Sequence, residues 1–329
     1  MRASIVIRTL NEGRYLGQLL EGIRRQRLDG LEVETVVIDS GSTDGTLQIA
    51  QEHGCVITHI RREDFSFGRS LNMGCEAASG DIFVFVSGHC VPCDDHWLRQ
   101  LCEPIVGGAA EYTYGRQVGG PESRFSECRI FEKYYPTASH IPQSGFFSNN
   151  ANSALAREAW AAHRFDEDLT GLEDMELAKR ISQAGGRIGY VAEAAVYHFH
   201  HETWPQVKRR FEREAIALQR IMPQIHVSPL DLVRYVTSSI LHDLRHARRA
   251  GRSAALAGEI ARYRIAQYLG SYTGNHQHRK LSRAEKDIYF YPTNRRNPHE
   301  TIEIQGRRPA ADEGQQREGA RQELPRVLR

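Results

Sequence analysis

Val36-Val37-Ile38-Asp39-Ser40-Gly41-Ser42-Thr43-Asp44-Gly45-Thr46 decides how the rest of the chain is read. Apolar β-branched residues make a buried strand, and an acid stands at its carboxyl end. Small polar residues and glycine then lead into a helix over 44–52, which stops at Gly54. Asp39 can accept hydrogen bonds from a base or ribose edge. Free backbone N–H groups at the helix start suit a phosphate. A simple turn with Asp44 as helix cap would use the same residue types, but the full string asks for more than a turn.

On either side, strands and helices alternate. Ser4 to Ile7 reads as a buried strand, and Leu16, Leu19, Leu20 and Ile23 give helical spacing over 13–27. Strands follow at 33–38, 55–60 and 82–86, with helices at 69–78 and 94–105. This order predicts a mostly parallel sheet covered by helices. Ligands of such sheets bind at the carboxyl ends of the strands, which points to loops 8–12, 39–45, 61–68 and 87–93. Further on, strands are expected near 110–117 and 150–156 and as two short pieces at 187–191 and 194–199. Helices are expected at 122–135, 173–184 and 204–221. From 228 to about 270 the pattern is helical and rich in arginine, and beyond 295 it is polar. The expected organisation is a domain over 1–222, a basic helical extension over 223–295 and a disordered tail over 296–329.

The composition, 40% hydrophobic and 26% charged, is that of an ordinary soluble protein. The net charge of +2 hides an asymmetry, because residues 223–329 carry 19 Lys and Arg against 11 Asp and Glu. A basic end suits an anionic membrane surface or an anionic acceptor, unless it is only a solvated face; no nucleic acid partner is expected. The longest apolar run, Ile82 to Val86, is far too short for a membrane span. The start reads as a strand rather than a signal peptide. Six scattered cysteines then read as reduced thiols, and the expected location is cytoplasmic, peripheral on the inner face of the membrane.

Taken with Ile5-Val6-Ile7-Arg8-Thr9-Leu10-Asn11-Glu12, the opening string resembles the family-2 glycosyltransferases of the GT-A fold, over roughly residues 3–221. The resemblance implies an α/β nucleotide-diphospho-sugar transferase domain with a helical C-terminal extension, a nucleotide-diphosphate sugar donor and an inverting reaction. It puts Thr9, Glu12, Asp39 and Ser40 on the nucleoside. Glu63 to Gly74 looks like the segment that closes over the donor, with Arg69 and Asn72 one helical turn apart and Arg69 aimed at the diphosphate. Leu172-Glu173-Asp174-Met175 resembles the family's Glu-Asp motif, which makes Asp174 the general base and Glu173 the second choice.

One segment departs from the family. Where an Asp-x-Asp motif usually binds Mg²⁺ or Mn²⁺, this chain has Ser87-Gly88-His89-Cys90-Val91-Pro92, which puts Ser87 and His89 at the two acidic positions. Magnesium prefers carboxylate oxygens, whereas imidazole suits Mn²⁺ or Zn²⁺ better. Three outcomes stay open: His89 ligates a metal, His89 meets the diphosphate directly, or donors bind without turnover. In Tyr197-His198-Phe199-His200-His201, strand geometry puts His198 and His200 on one side. The resemblance makes His198 a partner of His89 at a metal. The acceptor is expected to be a carbohydrate or lipid-linked hydroxyl in cell-surface polysaccharide or glycolipid assembly. A non-catalytic sugar-nucleotide-binding module and a nucleotidyltransferase remain as alternatives. A dinucleotide oxidoreductase is disfavoured, because no Gly-x-Gly-x-x-Gly follows the first strand.

Overall fold

The computed structural model of the protein describes residues 1–277. Among them, eight strands form one mixed sheet: β1 (Arg2–Thr9), β2 (Glu32–Asp39), β3 (Val56–His59), β4 (Ile82–Val86), β5 (Cys90–Pro92), β6 (Tyr112–Gly119), β7 (Asn152–Ala156) and β8 (Ile188–His198). Their order is β3-β2-β1-β4-β7-β6-β8-β5. The first four pair in parallel. β7 then runs antiparallel to both β4 and β6, β8 is parallel to β6, and β5 closes the edge antiparallel to β8. The parallel half is the one the alternating sequence predicts. The two short strands expected after 187 are instead one long strand, β8. Its pairing with β6 shifts register between Gly115 and Gln117.

Alternation along the strands builds a core on each face of the sheet. Ile5, Ile7, Val37, Ile82 and Val84 pack on one side with Leu16, Leu19 and Leu20 of α1 (Leu16–Arg24) and Trp97 and Leu101 of α4 (Trp97–Val106). Val6, Val36, Ile38, Phe83 and Phe85 pack on the other with Leu71 of α3 (Phe67–Ala77) and Leu177 and Ile181 of α7 (Glu173–Gln183). The remaining helices are α2 (Thr46–Glu52), α5 (Phe125–Tyr134), α6 (Arg157–His163), α8 (Trp204–Ile221), α9 (Pro229–Arg249) and α10 (Ser253–Asn275).

The basic extension does not stand apart from the sheet domain. Gly270 and Gly274 bring α10 so close to α8 that a Cβ at either would overlap the backbone at Lys208 or Glu212. Leu256 and Ile260 are buried with Ala247 of α9 and Phe125 of α5, and Tyr263 is fully buried. These residues, and Arg264, are therefore unavailable for the surface helix the sequence suggested. Arg264 is instead buried against Asp243, with N···O distances of 2.7 and 3.0 Å. Asp243 also accepts a hydrogen bond from Ser126 of α5 at 2.7 Å. The expected tail at 296–329 and the end of the 223–295 extension lie outside the described residues.

Removing one partner of a buried ion pair leaves the other charge uncompensated. Arg264→Met should lower the unfolding free energy in urea by about 3–5 kcal/mol. Asp243→Leu in the same chain should recover most of that loss. Simple addition of the two single losses would show that the pair is not coupled.

Candidate active site

The carboxyl ends of β1, β2 and β4 open into a cleft of about 140 Å³ lined by Arg8, Thr9, Glu12, Ser40, Phe65, Phe67, Ser87, Gly88, His89 and Asn150, among others. All four loops singled out in the sequence border it or adjoin it. Two of them are laced together. Thr9 Oγ1 donates to Asp39 at 3.0 Å, and the backbone N–H groups of Gly41 and Ser42 donate to the other Asp39 oxygen at 2.9 Å each. Ser42, Thr46 and Asp44 accept from the backbone N–H groups of Asn11, Glu12 and Gly13. The Asn11 carboxamide in turn accepts from Thr43 N at 2.8 Å. Asn11 holds φ at 59°, a conformation rare for a side-chain-bearing residue. These bonds shape the pocket floor, and both oxygens of buried Asp39 are used inside the protein.

Glu12 lines the cleft beside His89. Its Oε1 lies 2.9 Å from Nδ1 of His89. Gly88 is required between them, because a Cβ there would stand 2.8 Å from Glu12 Cγ. Burial pushes the His89 imidazole pKa down, but the charge and hydrogen bond of Glu12 outweigh this and hold it above its ordinary value. Arg69, on the exposed side of α3, is outside the cleft lining and stands 3.9 Å from Asp64. Asn72 is 2% exposed. Its amide is spent on Trp160, both backbone groups of Phe165 and Glu167.

Asp174 and Glu173 open α7 behind a left-handed Leu172, whose φ is 55°. Both acids are buried. Asp174 accepts from Asn150 N at 2.8 Å and Met175 N at 2.7 Å, and Asn150 itself lines the cleft. Burial, and next the Glu173 charge, push the Asp174 carboxyl pKa up to about 7, against those hydrogen bonds and Arg8. A helix N-terminus favours the ionised form of such a group, but here burial wins. Glu173 pairs with Arg8 at 3.3 Å.

The strongest cluster joins His89 to the exit of β8. One ring nitrogen each from His89, His198 and His200 lies within 4.8 Å of the others. Each Nδ1 already has an oxygen partner: Glu12 for His89, Gln117 at 2.7 Å for His198, and Glu127 at 2.7 Å for His200. The three Nε2 atoms are left as free ligands, and that of His198 is buried with no hydrogen bond. Burial, then the neighbouring His200, His89 and Arg210 charges, push His198 well below its ordinary pKa and keep it neutral. Neutral imidazoles oriented through Nδ1 by an oxygen are how histidines present themselves to a transition metal. Three imidazole nitrogens suit Mn²⁺ or Zn²⁺ better than Mg²⁺, and Glu127, His200 and Glu202 form a second group of ligand atoms beside them. Glu127, Gln117 and Arg8 were not singled out in the sequence, whereas His200 was read there as sharing a side with His198. Cys90, the other ligand type in that stretch, is buried in the core and its thiol is pushed well up.

A mixed sheet of this order with a cleft at the carboxyl ends of its parallel strands is the architecture of GT-A glycosyltransferases. A mannosyltransferase from Pyrobaculum calidifontis, solved in complex with GDP-Man and Mn²⁺, superposes with a TM-score of 0.53 at 17% identity, over 89% of this chain and 88% of that one, which is a likeness of fold. Residues 4–153 match the model of glycosyl transferase family 2. The O-antigen chain rhamnosyltransferase RfbN of Salmonella typhimurium is 25% identical over 219 residues, 62% of this chain and 68% of that one. Glycosyltransferase AglE of Haloferax volcanii is 31% identical over 122 residues, 34% of this chain and 40% of that one. The likeness to glycosyl transferase family 2 is carried by residues 4–153.

Titration of the metal-free full chain in a calorimeter should show binding of Zn²⁺ and Mn²⁺ and little of Mg²⁺. His198→Ala should abolish it, and Glu127→Gln should weaken it by about 10–100-fold. Binding of Mg²⁺ equal to that of Mn²⁺, or binding indifferent to His198→Ala, would remove the histidine cluster as a metal site.

Proposed function

We propose that this protein is an inverting transferase that moves a sugar from a nucleotide-diphosphate sugar to the hydroxyl of a carbohydrate or lipid-linked acceptor, in assembly of a cell-surface polysaccharide or glycolipid. One observation carries the reading. A buried carboxylate with a pKa near neutrality is held by the backbone of a cleft residue, in a chain with a likeness to glycosyl transferase family 2. Asp174 takes the proton as the acceptor oxygen attacks the anomeric carbon, and the bond to the diphosphate breaks on the opposite side. A base poised near the working pH combines sufficient ionisation with useful basicity. Thr9 and Ser40, on the laced loops, meet the nucleoside, and Asp39 holds those loops in shape. A divalent ion at His89, His198 and His200 would supply positive charge to the departing diphosphate. Gln117, Glu127 and Glu12 orient those rings. Ser87 offers a hydroxyl beside them.

The membrane-facing part of the proposal rests on α9. No helix among the described residues is long and apolar enough to cross a membrane. Leu230, Val233, Thr237 and Leu241 share one exposed face of α9 with Arg234, Arg245 and Arg248. A face of this mixture suits the inner, anionic surface of a membrane, where a lipid-linked acceptor would be met.

Asp174 acts as a base only when ionised. Its raised pKa therefore predicts that turnover falls as the pH drops through about 7. Asp174→Asn should cut turnover by about 10²–10⁴-fold and leave donor affinity within a few-fold. Donor affinity lost in step with turnover, or a rate flat across that range, would defeat the assignment. For the surface, Leu241→Glu with Arg245→Glu should reduce sedimentation with phosphatidylglycerol vesicles at an unchanged melting temperature, since each basic residue near such a surface adds about 1 kcal/mol. Unchanged sedimentation would leave α9 as a solvated face.

A further inference from the structure

Two arginines beside the cleft have no role in the chemistry above. Arg8 lines the cleft from the end of β1, and Arg213 of α8, outside that lining, packs on Phe67, which is part of it. Both guanidinium groups lie over one ring, that of Phe67, with their central carbons 4.7 and 4.5 Å from its centroid. Phe67 itself lines the cleft. Stacking on an aromatic face fixes a guanidinium without using its N–H donors.

Those donors are free. Nη1 of Arg8 is buried and makes no hydrogen bond, although Glu173 lies 3.3 Å away. Arg213 has no carboxylate partner among the described residues, and its buried Nε is unbonded. Beyond the bonds within α8, its backbone carbonyl accepts from Thr170 at 3.0 Å. Gly171 stands beside it, and a Cβ there would come within 3.4 Å of Nε. Burial, chiefly, lowers the pKa of this guanidinium, as expected for a cation lacking its anion. A buried cation with unspent donors is costly unless a ligand completes it. The planar fork of a guanidinium matches phosphate oxygens.

We propose that Arg8 and Arg213, stacked on Phe67, form a subsite for a phosphoryl group next to Asp174. The proposal rests on the transferase reading, since it places this anion beside the proposed base. Two sources present the same chemistry: the donor diphosphate, or a phosphate carried by the acceptor. Glu173 lies at the head of the subsite and keeps Arg8 in place until the anion enters. Arg69, the arginine assigned to the diphosphate from the sequence, lies outside the cleft lining, so this pair would take over that part.

The test uses the full chain in metal-free buffer with chelator, so that the histidine cluster does not contribute. Affinities are measured for inorganic pyrophosphate, for UDP and GDP, and for glycerol 1-phosphate as the acceptor mimic. Arg8→Gln, Arg213→Gln and Arg213→Lys are compared with the parent, each checked for an unchanged melting temperature. Loss of a charge-assisted fork should weaken the bound anion by about 10–100-fold, and Arg213→Lys, which keeps charge but not the fork, should recover only part. Weakening of pyrophosphate and the preferred nucleotide together assigns the subsite to the donor. Weakening of glycerol 1-phosphate with nucleotide affinity intact assigns it to the acceptor. A parent protein that binds none of these anions, or variants that bind them as the parent does, overturns the subsite. The pH profile and Asp174→Asn are read independently, so failure here is distinguishable from failure of the transferase reading.

Discussion

Burying a carboxylate is unfavourable unless cations and donors surround it, and Glu127 meets that condition at the junction of four elements. It stands on α5 with its side chain 3% exposed. His200, just past β8, approaches it at 2.7 Å, and Arg210 of α8 at 3.0 Å. The Tyr263 hydroxyl of α10 adds a contact at 3.4 Å. Burial alone would raise this carboxyl's pKa, yet His200 and Arg210 bring it down to about 2. Its charge is therefore present at any ordinary pH, and the direction of His200 follows from it. Arg210 is held a second time by Glu202, at 2.8 Å. The imidazole cluster is thus aimed by residues outside the strand that carries it.

The division of labour in the cleft follows from the same rule. The parallel edge supplies backbone geometry: loops laced by Asp39, Asn11 and Asp44, with few charges left free. The helices supply most of the charge, and β1 adds Arg8 near its carboxyl end. The Asp174 carboxyl is pushed up to about 7 by burial, while Arg8 and Arg213 lie close by over Phe67. Leu172, held at positive φ immediately before the two acids, is a local strain that fixes where α7 begins.

Local features were legible in the sequence. The β1–β4 run, the Asp39 loop and the acids at the start of α7 depend on residues close together in the chain, and periodicity and turn chemistry report them. The substitution of Ser87 and His89 for two acids was visible for the same reason. What could not be read is what side chains choose across long separations. Glu12 turned to His89, 77 positions away. Asn72 looked like a ligand-facing neighbour of Arg69, but tethers α3 to the segment around Phe165, 93 positions on. Arg264 looked like one more surface charge in a basic helix, because nothing near it in sequence announces Asp243 or Ser126. Tertiary pairing decides such cases, and one sequence carries no record of it.

The Ser126–Asp243–Arg264 contact has a consequence for how such chains can diverge. Ser126 sits beside Glu127, so the helix that orients His200 is clamped by residues contributed more than a hundred positions later. A C-terminal helical pair transplanted from a relative would bring its own side chains to that clamp. It would fit only a partner whose α5 had changed in step. The two ends of this protein are therefore bound to be inherited as a unit, and recombination between relatives should be tolerated least where the boundary seems most obvious, between α8 and α9.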